Sequence, residues 1–99
     1  MENGERIDEI IYPILKDVWG YSDFRPMQRE IIHQIMLNRD LLAILPTGGG
    51  KSICFQVPAL AKRGICIVVS PLIALITDQV HNLKKLNIKA LYVHSGMSY

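Results

Sequence analysis

The sequence has little of what marks a specialised class of protein. Only 2 of its 99 residues are cysteines, Cys54 and Cys66, and their spacing argues against a disulfide or metal pair, so two buried thiols are expected. The longest purely apolar runs, such as 41–45, are far too short for a membrane helix. A signal peptide, a repeat and a low-complexity tract are also missing. We therefore expect a single soluble, cytoplasmic domain with no membrane partner.

The sequence also has little excess of one sign of charge over the other. The net charge of +2 is too small to indicate a nucleic-acid partner through bulk electrostatics. The basic pairs 62–63 and 84–85 favour solvated helix ends, with a basic track for nucleic acid as the alternative. His33, His81 and His94 share no metal-ligand spacing, so ordinary, partly exposed histidines are expected.

Two apolar stripes predict helices at the start of the chain. Pro13 lies within the first stripe and should kink that helix or begin a new one, and Gly20 should end it. Pro26 suits the first turn of a second helix. The first stripe consists of Ile7, Ile10, Ile11, Ile14, Leu15 and Val18, and the inner face of the second helix of Met27, Ile31, Ile35 and Met36.

Three short apolar runs, 41–45, 65–69 and 90–93, predict buried strands. Helices are predicted between them, from about 51 to 63 and from an N-cap at Ser70 onward. The predicted core face of the second of these helices consists of Leu72, Leu75, Ile76, Val80 and Leu83. Alternating strands and helices imply a parallel sheet with right-handed crossovers. The predicted fold class is therefore α/β: a parallel β-sheet with flanking helices, preceded by two N-terminal helices.

A glycine-rich loop joins the first predicted strand to the following helix. Its three consecutive glycines let backbone N–H groups approach phosphate oxygens. Lys51 is predicted to contact the β- and γ-phosphates of a nucleotide, and the Ser52 hydroxyl to bind Mg²⁺. Phosphate loops usually begin with a glycine where this sequence has Leu45, and a simple glycine turn is the alternative. The predicted phosphate-binding residues are Thr47, Gly48, Gly49, Gly50, Lys51 and Ser52, of which Lys51 and Ser52 are also the predicted catalytic residues.

Three segments resemble the RecQ family of ATP-dependent DNA helicases and occur in that family's order. Trp19–Gln28 resembles its adenine-recognition segment, Leu45–Leu60 its motif I, and Val68–Val80 its motif Ia. The resemblance implies a partial RecA-like P-loop NTPase domain with ATP and Mg²⁺ as cofactors. It also implies a DNA helicase of 3′-to-5′ polarity that acts in recombination and repair on DNA with a single-stranded tail or a partial duplex.

The same resemblance implies roles for residues near the adenine and near DNA. Gln28 would hydrogen-bond the adenine edge, and Tyr21 and Arg25 would hold the ring by stacking. Hydrophobic packing is the alternative for Tyr21 and the favoured role for Phe24. The start of the helix in motif Ia would contact the DNA backbone, with a plain helix cap as the alternative for Ser70. The implied DNA-contacting residues are Ser70, Pro71 and Leu72.

Hydrolysis by such helicases also needs an Asp-Glu motif on a later strand and an arginine from a second RecA-like domain. The dipeptide Asp8-Glu9 lies instead on the first predicted helix. We therefore expect residues 1–99 to be an incomplete N-terminal ATP-binding domain, with a helical region at 1–38 and the start of the P-loop core at 41–99. Such a chain is expected to be inactive alone and marginally stable. The alternatives are a nucleotide-binding chain without catalysis and, ranked last, a small-molecule kinase.

Overall fold

The computed structural model of the protein describes residues 2–45 and 50–93. These residues form four α-helices and one π-helical turn, and none of the helices is long and apolar enough to cross a bilayer. The chain divides into two compact units, one ending at Cys66 and the other starting at Ile67. The helices are α1 (Glu2–Ile14), α2 (Gln28–Met36), α3 (Lys51–Ala61) and α4 (Ile73–Lys85), and the π-helical turn spans Leu15–Trp19.

The predicted α/β fold class is wrong, because residues 2–45 and 50–93 contain helices but no strand and no sheet. All three predicted strand segments are irregular and largely exposed to solvent. The exposed fraction is 88% for Leu42, 93% for Ile65 and 91% for Leu91. A buried strand satisfies its backbone through hydrogen bonds to neighbouring strands. Among the described residues, none of these three segments forms a ladder of backbone hydrogen bonds. Their apolar composition alone is therefore not enough to make them strands.

The first helix follows its predicted apolar stripe closely. Ile7, Ile11 and Leu15 are buried, whereas Ile10 is exposed. Pro13 lies inside α1, and the chain passes directly from α1 into the π-helical turn. The helical segment ends where predicted, at Gly20, which has a left-handed φ of 78° and donates its N–H to the Lys16 carbonyl at 2.9 Å.

One small core joins the first three helices. Ile7 and Ile11 of α1, Ile32 of α2 and Val57 of α3 form a buried cluster, with Trp19 and Phe24 among the partly buried side chains packed against it. One assignment in the second predicted helix was wrong: Met27 is exposed, because α2 starts at Gln28 and Met27 precedes it with a left-handed φ of 75°. Ile32, which was not among the residues predicted to face inward, is fully buried.

The second unit consists of α4 and the irregular segments on either side of it. Among the described residues of this unit, Val80 is buried as predicted, whereas Leu72 and Leu75 are exposed although they were predicted on the core face. The helix starts at Ile73, later than predicted. Ser70 therefore does not cap it; the Ser70 hydroxyl instead accepts the Leu72 N–H at 3.3 Å.

Candidate nucleotide-binding site

The described end of the phosphate loop opens directly into α3. Gly50 precedes the helix in a left-handed conformation, with φ 75° and ψ 38°. Lys51 is exposed at the first helical position, and Ser52 is half-buried at the second. The first turn contains no acidic residue, so no carboxylate within this turn offsets the positive end of the helix dipole, which favours an anion. The predicted residues Thr47, Gly48 and Gly49 lie outside the described residues.

Gln28, the predicted adenine-binding residue, is linked directly to the end of this loop. Its Nε2 donates to the Gly50 carbonyl at 3.0 Å, and its Oε1 accepts the Arg25 backbone N–H at 2.7 Å. The side chain is only 2% exposed. The fold therefore brings the segment before α2 and the end of the phosphate loop together, although they are 22 residues apart in sequence. The adenine role of Gln28 stays a prediction.

Gly50 is closely packed as well as left-handed. A Cβ atom at this position would lie 2.3 Å from Gln28 Nε2 and 3.7 Å from Arg25 Cδ. A φ of 75° already disfavours residues with a side chain. Glycine is thus required here both by the backbone conformation and by the contact with Gln28.

The aromatic residues around this segment take different positions. Tyr21 is exposed, as is Arg25, so both side chains are accessible for the stacking role that the sequence implies for them. Phe24 packs against the core and meets the Tyr12 ring edge-on, with the ring centroids 4.9 Å apart. The predicted packing role of Phe24 is confirmed. The Tyr12 hydroxyl also donates to Asp23 at 3.2 Å, which ties this loop to α1.

An ionic cluster between α1 and α2 was not predicted from the sequence. Asp8 accepts hydrogen bonds from Arg29 at 2.7 and 3.1 Å, and its Oδ1 lies 2.7 Å from His33 Nε2. The hydrogen bond from Arg29, followed by that from His33, holds the pKa of Asp8 below its ordinary value, although burial opposes the shift. Arg29 and His33 are four residues apart on α2 and therefore share one face, a signal that could have indicated a common partner.

Both basic pairs are exposed, as predicted, but Lys62 has a structural role as well. Its Nζ donates to the Ile35 carbonyl at 3.3 Å and also to the Asn38 side chain. These bonds join the end of α3 to the end of α2, where a cation is favoured by the helix dipole. The cysteine prediction was half wrong, because Cys54 is buried but Cys66 is exposed.

The predicted DNA-contacting residues lie in the second unit. Ser70 is half-buried, and Pro71 and Leu72 are exposed ahead of α4. Their backbone precedes a helix N-terminus, which suits a phosphate contact in principle. Their role toward DNA stays a prediction.

The residues near the loop fit a nucleotide-bound Mg²⁺ only in part. Ser52 can supply a hydroxyl ligand, and Mg²⁺ beside a nucleotide takes most other ligands from phosphate and water. Residues 2–45 and 50–93 contain no group of three metal-ligating side chains. Asp8, in the Asp8-Glu9 pair, is already bonded to Arg29 and His33.

Comparison with known proteins assigns a family to this sequence. The sequence profile of the DEAD/DEAH box helicase family matches residues 25–98. The chain is 52% identical over 84 residues to the ATP-dependent DNA helicase RecQ of Synechocystis, a match that covers 85% of this chain and 18% of the relative. It is 49% identical over 84 residues to the ATP-dependent DNA helicase Q-like 4B of Arabidopsis thaliana, covering 85% of this chain and 7% of that protein.

A third relative comes from a mammal. The ATP-dependent DNA helicase Q1 of Rattus norvegicus is 42% identical over 85 residues, which cover 86% of this chain and 14% of the relative. The chain therefore spans less than a fifth of the length of each of these three relatives. The matched residues include Arg25, Gln28, Gly50, Lys51 and Ser52.

Proposed function

Because this chain belongs to the DEAD/DEAH box helicase family, in its RecQ branch, we propose that it is the ATP-binding part of an ATP-dependent DNA helicase. One observation carries the proposal. Gly50, in a left-handed conformation, opens α3 with Lys51 exposed beside it, so that the first amide groups of the helix and a lysine lie at one point. Amide groups and a lysine are the donors that a triphosphate needs.

The roles proposed for individual residues follow from the helicase motifs that these residues resemble. Tyr21, Arg25 and Gln28 are proposed to hold the adenine, and Lys51 to contact the β- and γ-phosphates. Ser52 is proposed to hold Mg²⁺, which when bound would help to neutralise the phosphate charge. The exposure of Tyr21, Arg25 and Lys51 supports these roles, because all three side chains are accessible to a ligand.

The proposed substrate is DNA with a single-stranded tail or a partial duplex, separated with 3′-to-5′ polarity in recombination and repair. Ser70, Pro71 and Leu72 are proposed to contact its backbone. The proposed location is the cytoplasm. The relatives named as ATP-dependent DNA helicases support a DNA substrate.

We further propose that the 99-residue chain binds nucleotide without hydrolysing it at an appreciable rate. Phosphoryl transfer to water requires groups that hold the metal and position the water, and in RecQ-type helicases these are expected from an Asp-Glu motif and a second RecA-like domain. In this chain the Asp8-Glu9 pair lies on α1, where Asp8 is bonded to Arg29.

The test is made in a longer protein that contains this sequence together with the second RecA-like domain. Lys51→Ala is expected to lower DNA-stimulated ATPase and strand separation by at least about a hundredfold, because Lys51 is proposed to act on the transferred phosphate. Lys16→Ala, which removes an exposed lysine from the π-helical turn, is the matched control and should leave both rates unchanged. Undiminished hydrolysis by Lys51→Ala would refute the proposal.

A further inference from the structure

The loop that carries Tyr21 is short and is held at both ends. It consists of residues 20–23, between the π-helical turn and Phe24. On its first side, Trp19 packs against the core cluster and Gly20 ends the helical segment in a left-handed conformation. On its second side, Phe24 packs against the same cluster. The backbone around Tyr21 therefore lies between two aromatic side chains that are packed on one core.

A side chain of α1 holds the second end of this loop. The Tyr12 hydroxyl donates to Asp23 Oδ1 at 3.2 Å, and the same oxygen accepts the Phe24 backbone N–H at 2.8 Å. The Tyr12 and Phe24 rings meet edge-on, with their centroids 4.9 Å apart. Burial, followed by the hydrogen bond to Asp23, raises the pKa of Tyr12 above its ordinary value, so the hydroxyl keeps at neutral pH the proton that it donates. Tyr12 therefore holds Asp23 through its hydroxyl and Phe24 through its ring.

The position of Tyr21 depends on these neighbours more than on its own packing. Its side chain is 53% exposed, so burial does not hold the ring in one place. A stacking side chain contributes most to affinity when it is already ordered, because ordering it during binding costs free energy. A hydrogen bond that restricts the loop next to Tyr21 lowers this cost.

On the premise of the proposed nucleotide site, we propose that Tyr12 is a positioning residue for base recognition: by holding Asp23, it keeps Tyr21 in place to stack on adenine. Tyr12 precedes residues 25–98, which match the helicase family. Through this bond α1 takes part in base recognition without contacting the nucleotide. Phosphate binding at the start of α3 does not depend on it.

Two ligands separate this role from a general effect on the fold. ADP has a base and phosphates, whereas inorganic tripolyphosphate has phosphates alone. Tyr12→Phe removes the hydroxyl but keeps the ring that packs against Phe24. We expect it to weaken ADP binding by roughly two- to tenfold, the net value of one hydrogen bond, and to leave tripolyphosphate binding unchanged. Tyr92→Phe, the same substitution in the second unit, is the matched control and should bind both ligands like the unaltered chain.

The experiment is calorimetric titration of the 99-residue chain and its variants with both ligands, with far-UV circular dichroism to check that helix content is retained. Tyr21→Ala measures the contribution of the stacking side chain and should weaken ADP binding at least about fivefold. Because Tyr12 is proposed to act through Tyr21, Tyr12→Phe should cause no further loss when Tyr21→Ala is already present. The proposal is overturned by an equal loss in both backgrounds, by an equal loss for ADP and tripolyphosphate, or by unchanged ADP binding in Tyr12→Phe.

A second pair of variants tests the same hydrogen bond from its acceptor. Asp23→Asn keeps a side-chain oxygen that accepts from Tyr12, and it should retain most of the affinity for ADP. Asp23→Ala removes that oxygen and should weaken ADP binding at least as much as Tyr12→Phe does. Full ADP affinity in Asp23→Ala would contradict the role of this bond.

Failure of this inference can be told apart from failure of the proposed function. If the unaltered chain binds neither ligand, the proposed function fails and this inference with it. If the chain binds both ligands and Tyr21→Ala binds ADP normally, the stacking role of Tyr21 and this inference fail, whereas phosphate binding at the start of α3 stands. If only Tyr12→Phe binds ADP normally, the inference alone fails.

Discussion

At the scale of single residues, the two cysteines lie in very different surroundings. Cys54 is buried on α3, and burial raises the pKa of its thiol, whereas Cys66 is exposed. The thiolate is the reactive form of cysteine, so a raised pKa and low exposure both slow its chemistry.

We therefore predict that iodoacetamide alkylates Cys66 at least about tenfold faster than Cys54 at neutral pH. Mass spectrometry of timed samples gives the two rates. In concentrated urea the difference should disappear, which serves as the control. Equal rates in the native chain would show that Cys54 is accessible.

Residues whose role depends on their neighbours in the chain could be predicted from the sequence. The glycine at position 20 was predicted to end a helix and does so, and Phe24 was predicted to pack and does so. Gln28 is predicted to bind adenine because its segment resembles an adenine-binding motif. Its hydrogen bond to Gly50 could not be predicted, because this bond joins residues 22 positions apart in sequence. Contacts of this kind depend on how the helices pack and have no local signature in the sequence.

At the scale of elements, α1 and α2 are joined by both apolar and ionic contacts. Ile11 and Ile32 pack in the shared core, while Asp8 bonds Arg29 and His33 at the side. The pKa of Asp8 lies below its ordinary value, with the hydrogen bond from Arg29 as the main cause. A depressed carboxyl pKa contributes stability above the unfolded pKa of about 4, and that stability is lost as the pH falls through the folded pKa.

Asp8→Asn is accordingly predicted to lower the free energy of unfolding at pH 7 by about 1 kcal/mol, a modest value because the Arg29 side chain is 42% exposed. The difference from the unaltered chain should shrink as the pH falls below about 4, where Asp8 of the unfolded chain takes up a proton, and should be lost once the pH passes below the lowered folded pKa. Urea unfolding at pH 7 and at pH 3 measures the difference in the free energy of unfolding. Asp17→Asn, at an exposed position of the π-helical turn, is the control. An equal deficit at pH 7 and pH 3 would contradict the ionic origin of the effect.

The helices could be predicted largely from apolar spacing, but the strands could not. A stripe at three- and four-residue intervals suffices for a helix, whose hydrogen bonds lie within one segment. The runs at 41–45 and 65–69 have an apolar composition typical of strands, yet a strand also needs a partner backbone. Among residues 2–45 and 50–93 these runs form no ladder.

At the scale of the whole molecule, few of the apolar residues among 2–45 and 50–93 are buried. The core cluster contains Ile7, Ile11, Ile32 and Val57, whereas Ile44, Ile65 and Val69 are among the large apolar residues that are exposed. Exposed apolar segments contribute little to stability and favour association. The marginal stability expected from the sequence is consistent with this distribution and stays a prediction.

The family assignment also concerns the molecule as a whole. Residues 25–98 match a helicase family, and the match to each of three relatives named as DNA helicases covers less than a fifth of that relative's length. Their full activity is therefore a proposal for this sequence, and so is nucleotide binding, but the residues proposed to bind the nucleotide all lie within this chain. Gly50, Lys51 and Ser52 lie together at the start of α3.

The most direct test of that claim is titration of the chain with a fluorescent adenine nucleotide, followed by competition with ATP. We expect a saturable signal that ATP reverses, with an affinity that Lys51→Ala lowers at least about tenfold and Lys16→Ala leaves unchanged. The absence of a saturable signal, or equal affinity in the chain with Lys51→Ala, would contradict nucleotide binding at the start of α3.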